Sequence, residues 1–263
     1  MDLLSTANVQ RKFRNVFGSI ADALDRPSAV AGVDGVKMAR MGAGMDFSRT
    51  KFAFSRRPLS YSKVRALAGP AMRVFPIRKR PQLAQYLNVG AGPHAKPDFF
   101  NIDYDYHPGI DLFWDLKNPL PIAANSIGGI FSEHCLEHLA FETTQSVLQD
   151  FYRVLQPGRS VRISVPDGEI YARAYVEGHA MPFAPDESAA DPSWTPMQSI
   201  NQAFYGHGHR FIYDFRTMQN CLHRAGFVRI EKCSFGAGRD TRLLIDQPSR
   251  RLESLYVEAT KLL

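Results

Sequence analysis

The spacing of apolar positions changes repeatedly after residue 84, and these changes predict alternating strands and helices. Short apolar runs bounded by turn residues predict strands at QYLNVG (85–90), FFNID (99–103), DLFWDL (111–116), GGIFS (128–132) and SVRISVP (160–166). Apolar residues at helical spacing predict helices over 143–155 and 213–227, the second with Asp214 as N-cap. Two late runs, 228–235 and 254–261, predict an antiparallel pair of strands. Together they predict an α/β fold, whose ligands bind at the carboxyl ends of the strands.

Positive charge is concentrated near the N-terminus. Residues 1–80 hold 16 of the 32 Lys and Arg residues but 5 of the 26 Asp and Glu residues. We therefore predict a basic N-terminal extension at 1–80, partly helical or mobile, joined to a globular domain at 81–263. Aromatic residues lie between its arginines, which suits nucleic acid or a membrane surface as a partner. Alternatively, its helices cover part of the domain.

Cysteine usage and hydropathy indicate the compartment. The cysteines are scattered without a CxxC pair, and no apolar run reaches the roughly 18–20 residues of a membrane span. The N-terminus carries no apolar block typical of a signal peptide. These features favour a reduced, soluble, cytoplasmic protein.

Two glycines mark the first candidate site. The strand at 85–90 ends at Gly90, Ala91 and Gly92, and residues without side chains let a turn bring its backbone against a ligand. The alternative is an ordinary loop. Asp103 and Asp115 end the next two predicted strands. A carboxylate in such a place either accepts hydrogen bonds from a ligand or closes an Asx turn.

Five segments occur in an order that resembles a known family. They are LNVGAG, NIDYD, WDLKNPLP, HCLEHL and YRVLQPGRSVRISVPD, and GHRFIYDFRTMQNCLHRAGF follows them. Over residues 84–260 the chain resembles the class I S-adenosylmethionine-dependent methyltransferases, in particular a type 11-like branch with Gly-x-Gly and LEH motifs. The resemblance implies a Rossmann-like, mostly parallel sheet with S-adenosyl-L-methionine as cofactor. It implies methyl transfer to an acceptor that the sequence does not identify.

The resemblance also implies which residues contact the cofactor. The loop 90–92 would lie against its methionine part, and Asp103 would accept hydrogen bonds from both ribose hydroxyls. Tyr104 would lie against the adenine, whose amino group would be bound near Asp115 and Leu116. Further positions expected at the cofactor are Asn88, Glu133 and His134.

The chain departs from the family pattern in three respects. Asn88 stands where an acid is usual, and His94 replaces a glycine. The segment PHAKPD (93–98) is too short for the usual helix between the first two strands, and the next connection is similarly short. One face of the sheet would then be poorly covered, and we hypothesise that a helix within 59–75 packs on it.

The segment SEHCLEHL has three interpretations. His134, Glu137 and His138 spell HxxEH, a spacing that binds zinc in inverted zinc proteases when it lies on a helix. Alternatively, the histidines pack the start of a helix, or they act on the substrate side. Because a predicted strand directly precedes the motif, we predict no metal there.

Residues 167–213 are predicted to form a lid or a substrate-binding insertion. Its aromatic residues are candidates for covering an acceptor: Trp194, Phe204 and Tyr205. Near its end, Arg210 is a candidate for holding an anionic group, and His207 is one of several candidates for taking a proton. The residues chosen as catalytic candidates are His209, His134 and Tyr213.

Three functions remain open at this point. The favoured one is a class I methyltransferase with a basic extension and an unidentified acceptor, for which an anionic compound is one candidate. The second is a non-catalytic nucleic-acid-binding protein that keeps the fold and uses the basic arm. The third is an HxxEH zinc hydrolase. Cofactor binding separates the first from the others, and zinc content tests the third.

Overall fold

The computed structural model of the chain describes residues 81–83, 85–105, 107–179 and 193–263. The predicted extension at 1–80, the hypothesised helix within 59–75 and residues 180–192 of the predicted insertion lie outside the described residues. Among the described helices, none combines the length and the apolar character of a membrane span.

A seven-stranded sheet in the order β3-β2-β1-β4-β5-β7-β6 forms the centre of the domain. Its strands are β1 (Tyr86–Val89), β2 (Phe99–Asp103), β3 (Leu112–Phe113), β4 (Gly129–Glu133), β5 (Ser160–Pro166), β6 (Val228–Cys233) and β7 (Ser254–Thr260). The strands β1 to β5 pair in parallel, whereas β7 is antiparallel to both β5 and β6. The predicted α/β class, the mostly parallel sheet and the late antiparallel pair are therefore confirmed.

Helices connect the later strands. They are α1 (Phe141–Val154), α2 (Gly168–Glu177), α3 (Pro196–Tyr205) and α4 (Phe215–Arg224). The Asp214 side chain accepts a hydrogen bond of 2.7 Å from the Thr217 amide, which confirms the predicted N-cap of α4. Sequence patterning did not predict α2 and α3, although Asp167 caps α2 and Thr195 with Gln198 forms a capping box at α3.

The two faces of the sheet are covered differently. On one face, buried residues of α1 and α4 join the main core cluster. On the other face, Leu243 packs against Tyr86, Phe99 and Phe131, and Ile245 borders this cluster. Leu243 and Ile245 belong to the connection between β6 and β7, so that connection covers part of the face that was predicted to be poorly covered.

The connections from β1 to β2 and from β2 to β3 contain no helix among their described residues, as the sequence predicts. Asn101 of β2 fixes the β1–β2 connection by hydrogen bonds. Its Oδ1 accepts hydrogen bonds from the Asn88 side chain at 3.0 Å and from the Lys96 amide at 2.8 Å. Asn88 also donates to the His94 carbonyl at 3.3 Å. Polar pairing along the sheet face thus replaces the apolar packing of a helix.

Arg162 of β5 anchors the long β6–β7 connection to the sheet. Its guanidinium is fully buried and donates two hydrogen bonds to Asp246, at 2.8 and 2.6 Å, and one to Glu258 at 3.0 Å. It also donates to the carbonyls of Ser234 and Ala237, at 3.1 and 3.0 Å. The connection is therefore fixed at several points by one buried cation.

Packing around Gly90 leads to a first prediction. A Cβ at this position would lie 2.4 Å from both Cβ and Sγ of Cys135, and the backbone φ is +72°. We expect Gly90→Ala to lower the free energy of unfolding by about 2–4 kcal/mol, because left-handed strain and overpacking add. Gly178→Ala is the matched control, since its φ is +68° but a Cβ would meet nothing within 4 Å. Urea denaturation measures both, and equal losses would contradict the packing argument.

Candidate active site

The carboxyl end of the sheet has a topological switch point at β1. The chain pairs β1 with β2 on one side and with β4 on the other, and in such sheets a ligand crevice forms where the connections diverge. Gly92 follows β1 with φ +50°, and a Cβ there would meet nothing within 4 Å. Space for a ligand is therefore open at Gly92. At Gly90, the contact with Cys135 already requires glycine, so packing as well as a ligand can account for this residue.

Asp103 ends β2 and closes the glycine loop. Its Oδ2 accepts a hydrogen bond from the Gly92 amide, and its Oδ1 accepts one from the Asp105 amide, both at 2.7 Å. Burial raises the pKa of Asp103, and these two backbone hydrogen bonds oppose the shift. Because each carboxylate oxygen has two lone pairs, both oxygens keep capacity for a ligand hydroxyl. Asp103 therefore shapes the loop and can also bind a diol.

The side chains expected near the adenine lie in different surroundings. Tyr104 is 46% exposed beside Asp103, so its ring is accessible to a ligand. Asp115 accepts a hydrogen bond of 3.0 Å from the Lys117 amide, which closes an Asx turn. Leu116 packs against the main core cluster. Tyr104 thus has the accessible ring, whereas Asp115 is partly used within its own turn.

Three further residues expected at the cofactor are engaged within the chain. The side-chain amide of Asn88 is buried and donates hydrogen bonds to Asn101 Oδ1 and to the His94 carbonyl. Ala91 is buried in a small apolar cluster. Glu133 accepts a hydrogen bond of 3.0 Å from the Gln247 amide, and burial raises its pKa. Their side chains support the crevice rather than presenting free groups to it.

A pocket opens at the carboxyl ends of β4 and β5, beside the segment that contacts Gly90. It contains about 520 Å³ of space, part of it open to solvent, and its lining includes four histidines: His134, His138, His207 and His209. The first two follow β4, and the other two follow α3. The structure thus brings two distant histidine pairs to one edge of the sheet.

Glu137 lies among three of these histidines. Its side chain is fully buried, and neither carboxylate oxygen has a hydrogen-bond partner of good geometry in the described part of the chain. Its Oε1 lies 3.3 Å from Nδ1 of His134, 3.9 Å from Nε2 of His138 and 4.0 Å from Nε2 of His209. Burial alone would raise the pKa of Glu137, but the imidazoles, His134 foremost, hold that pKa below its usual value. We call Glu137 and these three histidines the histidine cluster.

Backbone contacts fix His209 against Glu137. The amides of Arg210 and Phe211 both donate to the Glu137 carbonyl, at 2.7 and 3.2 Å. His209 Nδ1 lies 2.6 Å from the carbonyl of Ala203. Because a carbonyl only accepts, Nδ1 carries a proton and the neutral ring keeps its lone pair on Nε2. Burial lowers the pKa of His209, so the neutral ring is favoured.

Tyr213, a catalytic candidate from the sequence, does not line this pocket. Its side chain is fully buried, and its hydroxyl donates a hydrogen bond of 3.0 Å to Thr144 Oγ1. Burial raises the pKa of Tyr213 to about 12. A core phenol in this state is not a proton acceptor for a ligand, and its position argues against the catalytic assignment.

The sequence patterns did not indicate the pocket residues of the β6–β7 connection. Arg250 and Glu253 line the pocket, where Arg250 Nη1 donates to Glu253 Oε1 at 2.9 Å. Ser254 Oγ lies 2.7 Å from His134 Nε2. Arg210, the predicted anion-binding residue, is exposed and does not line the pocket. The signal was available, because an antiparallel β7 begins at the edge where its parallel neighbour β5 ends.

The described part of the predicted lid forms one pocket wall. Helix α3 contributes Gln202 and Ala203 to the lining. Trp194 donates from Nε1 to Ser199 Oγ at 2.9 Å, and Tyr205 is 75% exposed. Trp194 therefore supports α3, and the aromatic residues expected to cover an acceptor do not line the pocket.

The HxxEH spacing does not form a helical metal motif. His134 has φ +47° and precedes a short 3-10 turn, Leu136–His138, so the two histidines do not lie one α-helical turn apart. This geometry does not support the zinc-hydrolase alternative. A different set of residues, Glu137, His138 and His209, places its ligand atoms within 4.8 Å of one another.

No protein-family model and no curated protein matches the chain. Solved structures do match it. One is phosphoethanolamine N-methyltransferase 2 of Haemonchus contortus in complex with S-adenosyl-L-methionine, with 14% identity and a TM-score of 0.41 over 75% of this chain and 53% of that one. The present chain thus spans about half of that enzyme's length.

One bacterial and one archaeal structure match over most of their own length. A possible histamine N-methyltransferase of Thermotoga maritima has 13% identity and a TM-score of 0.42, over 76% of this chain and 90% of that one. A SAM-dependent methyltransferase of Archaeoglobus fulgidus has 13% identity and a TM-score of 0.42, over 74% and 94%. These similarities are too distant for residue roles or substrates to be carried over.

Proposed function

We propose that this chain is an S-adenosylmethionine-dependent methyltransferase whose acceptor binds in the histidine-lined pocket. The observation that carries the proposal is the pairing of Asp103 with Gly92 at the switch point of the sheet. It places a carboxylate with spare acceptor capacity beside a loop whose outer side is open. The order of motifs along the sequence supports the same function.

The residues at the crevice fit this cofactor. Both oxygens of Asp103 retain lone pairs, which suits the two neighbouring hydroxyls of a ribose. The space at Gly92 admits a ligand close to the backbone, and the exposed ring of Tyr104 offers a flat surface for a base. We therefore assign ribose binding to Asp103 and adenine stacking to Tyr104.

When bound, S-adenosyl-L-methionine supplies a methyl group on a sulfonium sulfur for in-line displacement. The chain contributes mainly position, because alignment of the reacting groups supplies much of the rate in such a step. Cys135 lies between the glycine loop and His134 of the pocket: a Cβ at Gly90 would meet its side chain, and His134 precedes it in the chain. Burial, and then the charges of Asp103 and Glu137, raise the pKa of Cys135.

The pocket favours a polar acceptor. Arg250 and Glu253 supply a charged pair, and Tyr171 donates from its hydroxyl to Glu253 at 3.2 Å. If the acceptor loses a proton on attack, the lone pair on Nε2 of His209 can take that proton, because Nδ1 is held by the Ala203 carbonyl. We infer an acceptor with hydrogen-bonding or anionic groups, and the basic extension at 1–80 remains a candidate for contact with nucleic acid or a membrane surface.

Cofactor binding tests the proposal directly. Isothermal titration of the full chain with S-adenosylhomocysteine should show one binding site. Asp103→Ala should weaken it by about 1–3 kcal/mol, because ribose hydroxyls would lose a charged acceptor. Asp98→Ala is the matched control, since Asp98 is exposed and precedes the opposite end of β2.

Two results would count against the proposal. If the wild-type chain binds neither S-adenosylmethionine nor its demethylated product, the methyltransferase function fails. If folded Asp103→Ala binds as tightly as the wild type, Asp103 is not the ribose ligand.

A further inference from the structure

We propose that Glu137, His138 and His209 form a binding site for a first-row divalent transition-metal ion at the wall of the pocket. The site differs from the HxxEH reading of the sequence, because His209 takes the place of His134. It also goes beyond the proposed function, since methyl transfer from a sulfonium needs no metal.

The observation that points to a ligand is a buried carboxylate without a well-formed hydrogen bond. Glu137 is fully buried, yet both its oxygens lack a hydrogen bond of good geometry among the described residues. Burying a carboxylate is costly when its hydrogen bonds are poorly formed, and its nearest donor atom is His134 Nδ1 at 3.3 Å, so a cation at this point would remove an unfavourable feature. His138 and His209 direct their Nε2 atoms to the same oxygen, at 3.9 and 4.0 Å.

The distances suit closure around an ion. Bonds of about 2.0–2.1 Å in a tetrahedral site place ligand atoms about 3.3 Å apart. The three candidate atoms lie within 4.8 Å of one another, so each needs to move by less than about 1 Å. The ring centroids of His138 and His209 are 4.9 Å apart, and two imidazoles on one tetrahedral ion are separated by about 5 Å. The side chain of His138 is 39% exposed.

Supporting contacts already hold two of the ligands. The hydrogen bond from His209 Nδ1 to the Ala203 carbonyl directs the Nε2 lone pair to the cluster, as outer contacts do for metal-bound histidines. The amides of Arg210 and Phe211 fix the backbone of Glu137. His134 Nδ1, at 3.3 Å, steadies the carboxylate without joining the ligand set.

The ligand set favours zinc-like ions over magnesium or calcium. Two imidazoles and one carboxylate suit first-row transition ions, whereas the harder ions prefer oxygen ligands. Three protein ligands leave a coordination position open to the pocket. An oxygen donor of a pocket ligand would occupy it, and identifying that ligand with the methyl acceptor rests on the proposed function.

Metal titration of the full chain tests the site without cofactor or acceptor. After treatment with a chelator and dialysis, the chain is titrated with zinc chloride and, separately, with magnesium chloride in a calorimeter. We expect one zinc ion per chain and no magnesium binding in the same concentration range. Cobalt should give the visible absorption of a tetrahedral complex. His138→Ala should weaken zinc binding at least about 100-fold, because it removes a ligand rather than a supporting group.

Matched variants make the result specific. His223→Ala removes an exposed histidine of α4 outside the pocket and should leave zinc affinity unchanged. Glu137→Gln keeps the side-chain volume, removes the charge and should abolish binding. If circular dichroism shows Glu137→Gln to be unfolded, His209→Gln replaces it in the series. Failure of the wild type to bind zinc, or wild-type affinity in His138→Ala, overturns the site, whereas cofactor titration judges the methyltransferase function separately.

Discussion

Arg162→Met is expected to lower the free energy of unfolding by about 3–5 kcal/mol, the range for removing one member of a buried ion network. Asp246 and Glu258 would keep their burial, with side chains 1% and 2% exposed, but would lose their cation. Methionine fills a similar volume, so the loss reports missing charge and hydrogen bonds rather than a cavity. Urea denaturation followed by circular dichroism measures the change.

The control for Arg162→Met is Arg173→Met. Arg173 pairs with Glu169 on the surface of α2, where its side chain is 66% exposed. Solvent screens such pairs, so its removal should leave the urea midpoint nearly unchanged. If both variants lose the same stability, the buried network does not anchor the β6–β7 connection.

His209→Ala is expected to reduce methyl transfer by roughly 10–1000-fold while cofactor affinity stays within about threefold. The reason is its placement: Nε2 faces Glu137 in the pocket, and the ring makes no hydrogen bond toward Asp103 or the glycine loop among the described residues. The assay transfers radiolabelled methyl from saturating cofactor into small-molecule, sugar, protein and nucleic-acid pools. Initial rates are then compared on the pool that accepts label.

His223→Ala serves as the control in the same assay, because His223 is exposed and does not line the pocket. Zinc titration of His209→Ala separates the two roles for its Nε2. Lost transfer with unchanged zinc affinity identifies a proton acceptor and removes His209 from the proposed ligand set, whereas loss of both identifies a metal ligand. Transfer at the wild-type rate would mean that His209 is structural, and His134 would become the stronger candidate.

His134→Ala is expected to perturb both transfer and cofactor affinity. The residue follows β4 with φ +47°, next to Cys135, which contacts Gly90. Its ring also links Ser254 Oγ, at 2.7 Å, with Glu137. A change confined to transfer would contradict its predicted place between the crevice and the pocket.

The sequence by itself determined the features that depend on neighbouring residues. Apolar runs and turn residues predicted the parallel strands and the late antiparallel pair, and Asp214 marked the start of α4. The short segment 93–98 predicted that no helix connects β1 and β2, and the described residues of this connection contain none. The third strand was predicted as DLFWDL but comprises only Leu112–Phe113, because Asp115 closes a turn.

Only the tertiary structure decided how distant segments share one site. Burial left the Glu137 carboxylate without a well-formed hydrogen bond among the described residues, and the hydrogen bonds from the amides of Arg210 and Phe211 to its carbonyl brought His209 beside His138. Leu243 covers part of the second face, while Arg250 and Glu253 from the same connection line the pocket. Tyr213 lies in the core, although His209, only four residues before it, lines the pocket. Apart from Arg250 and Glu253, whose place before an antiparallel strand was a usable signal, these outcomes depend on contacts between residues far apart in the chain, which leave no periodic or local signal in a single sequence.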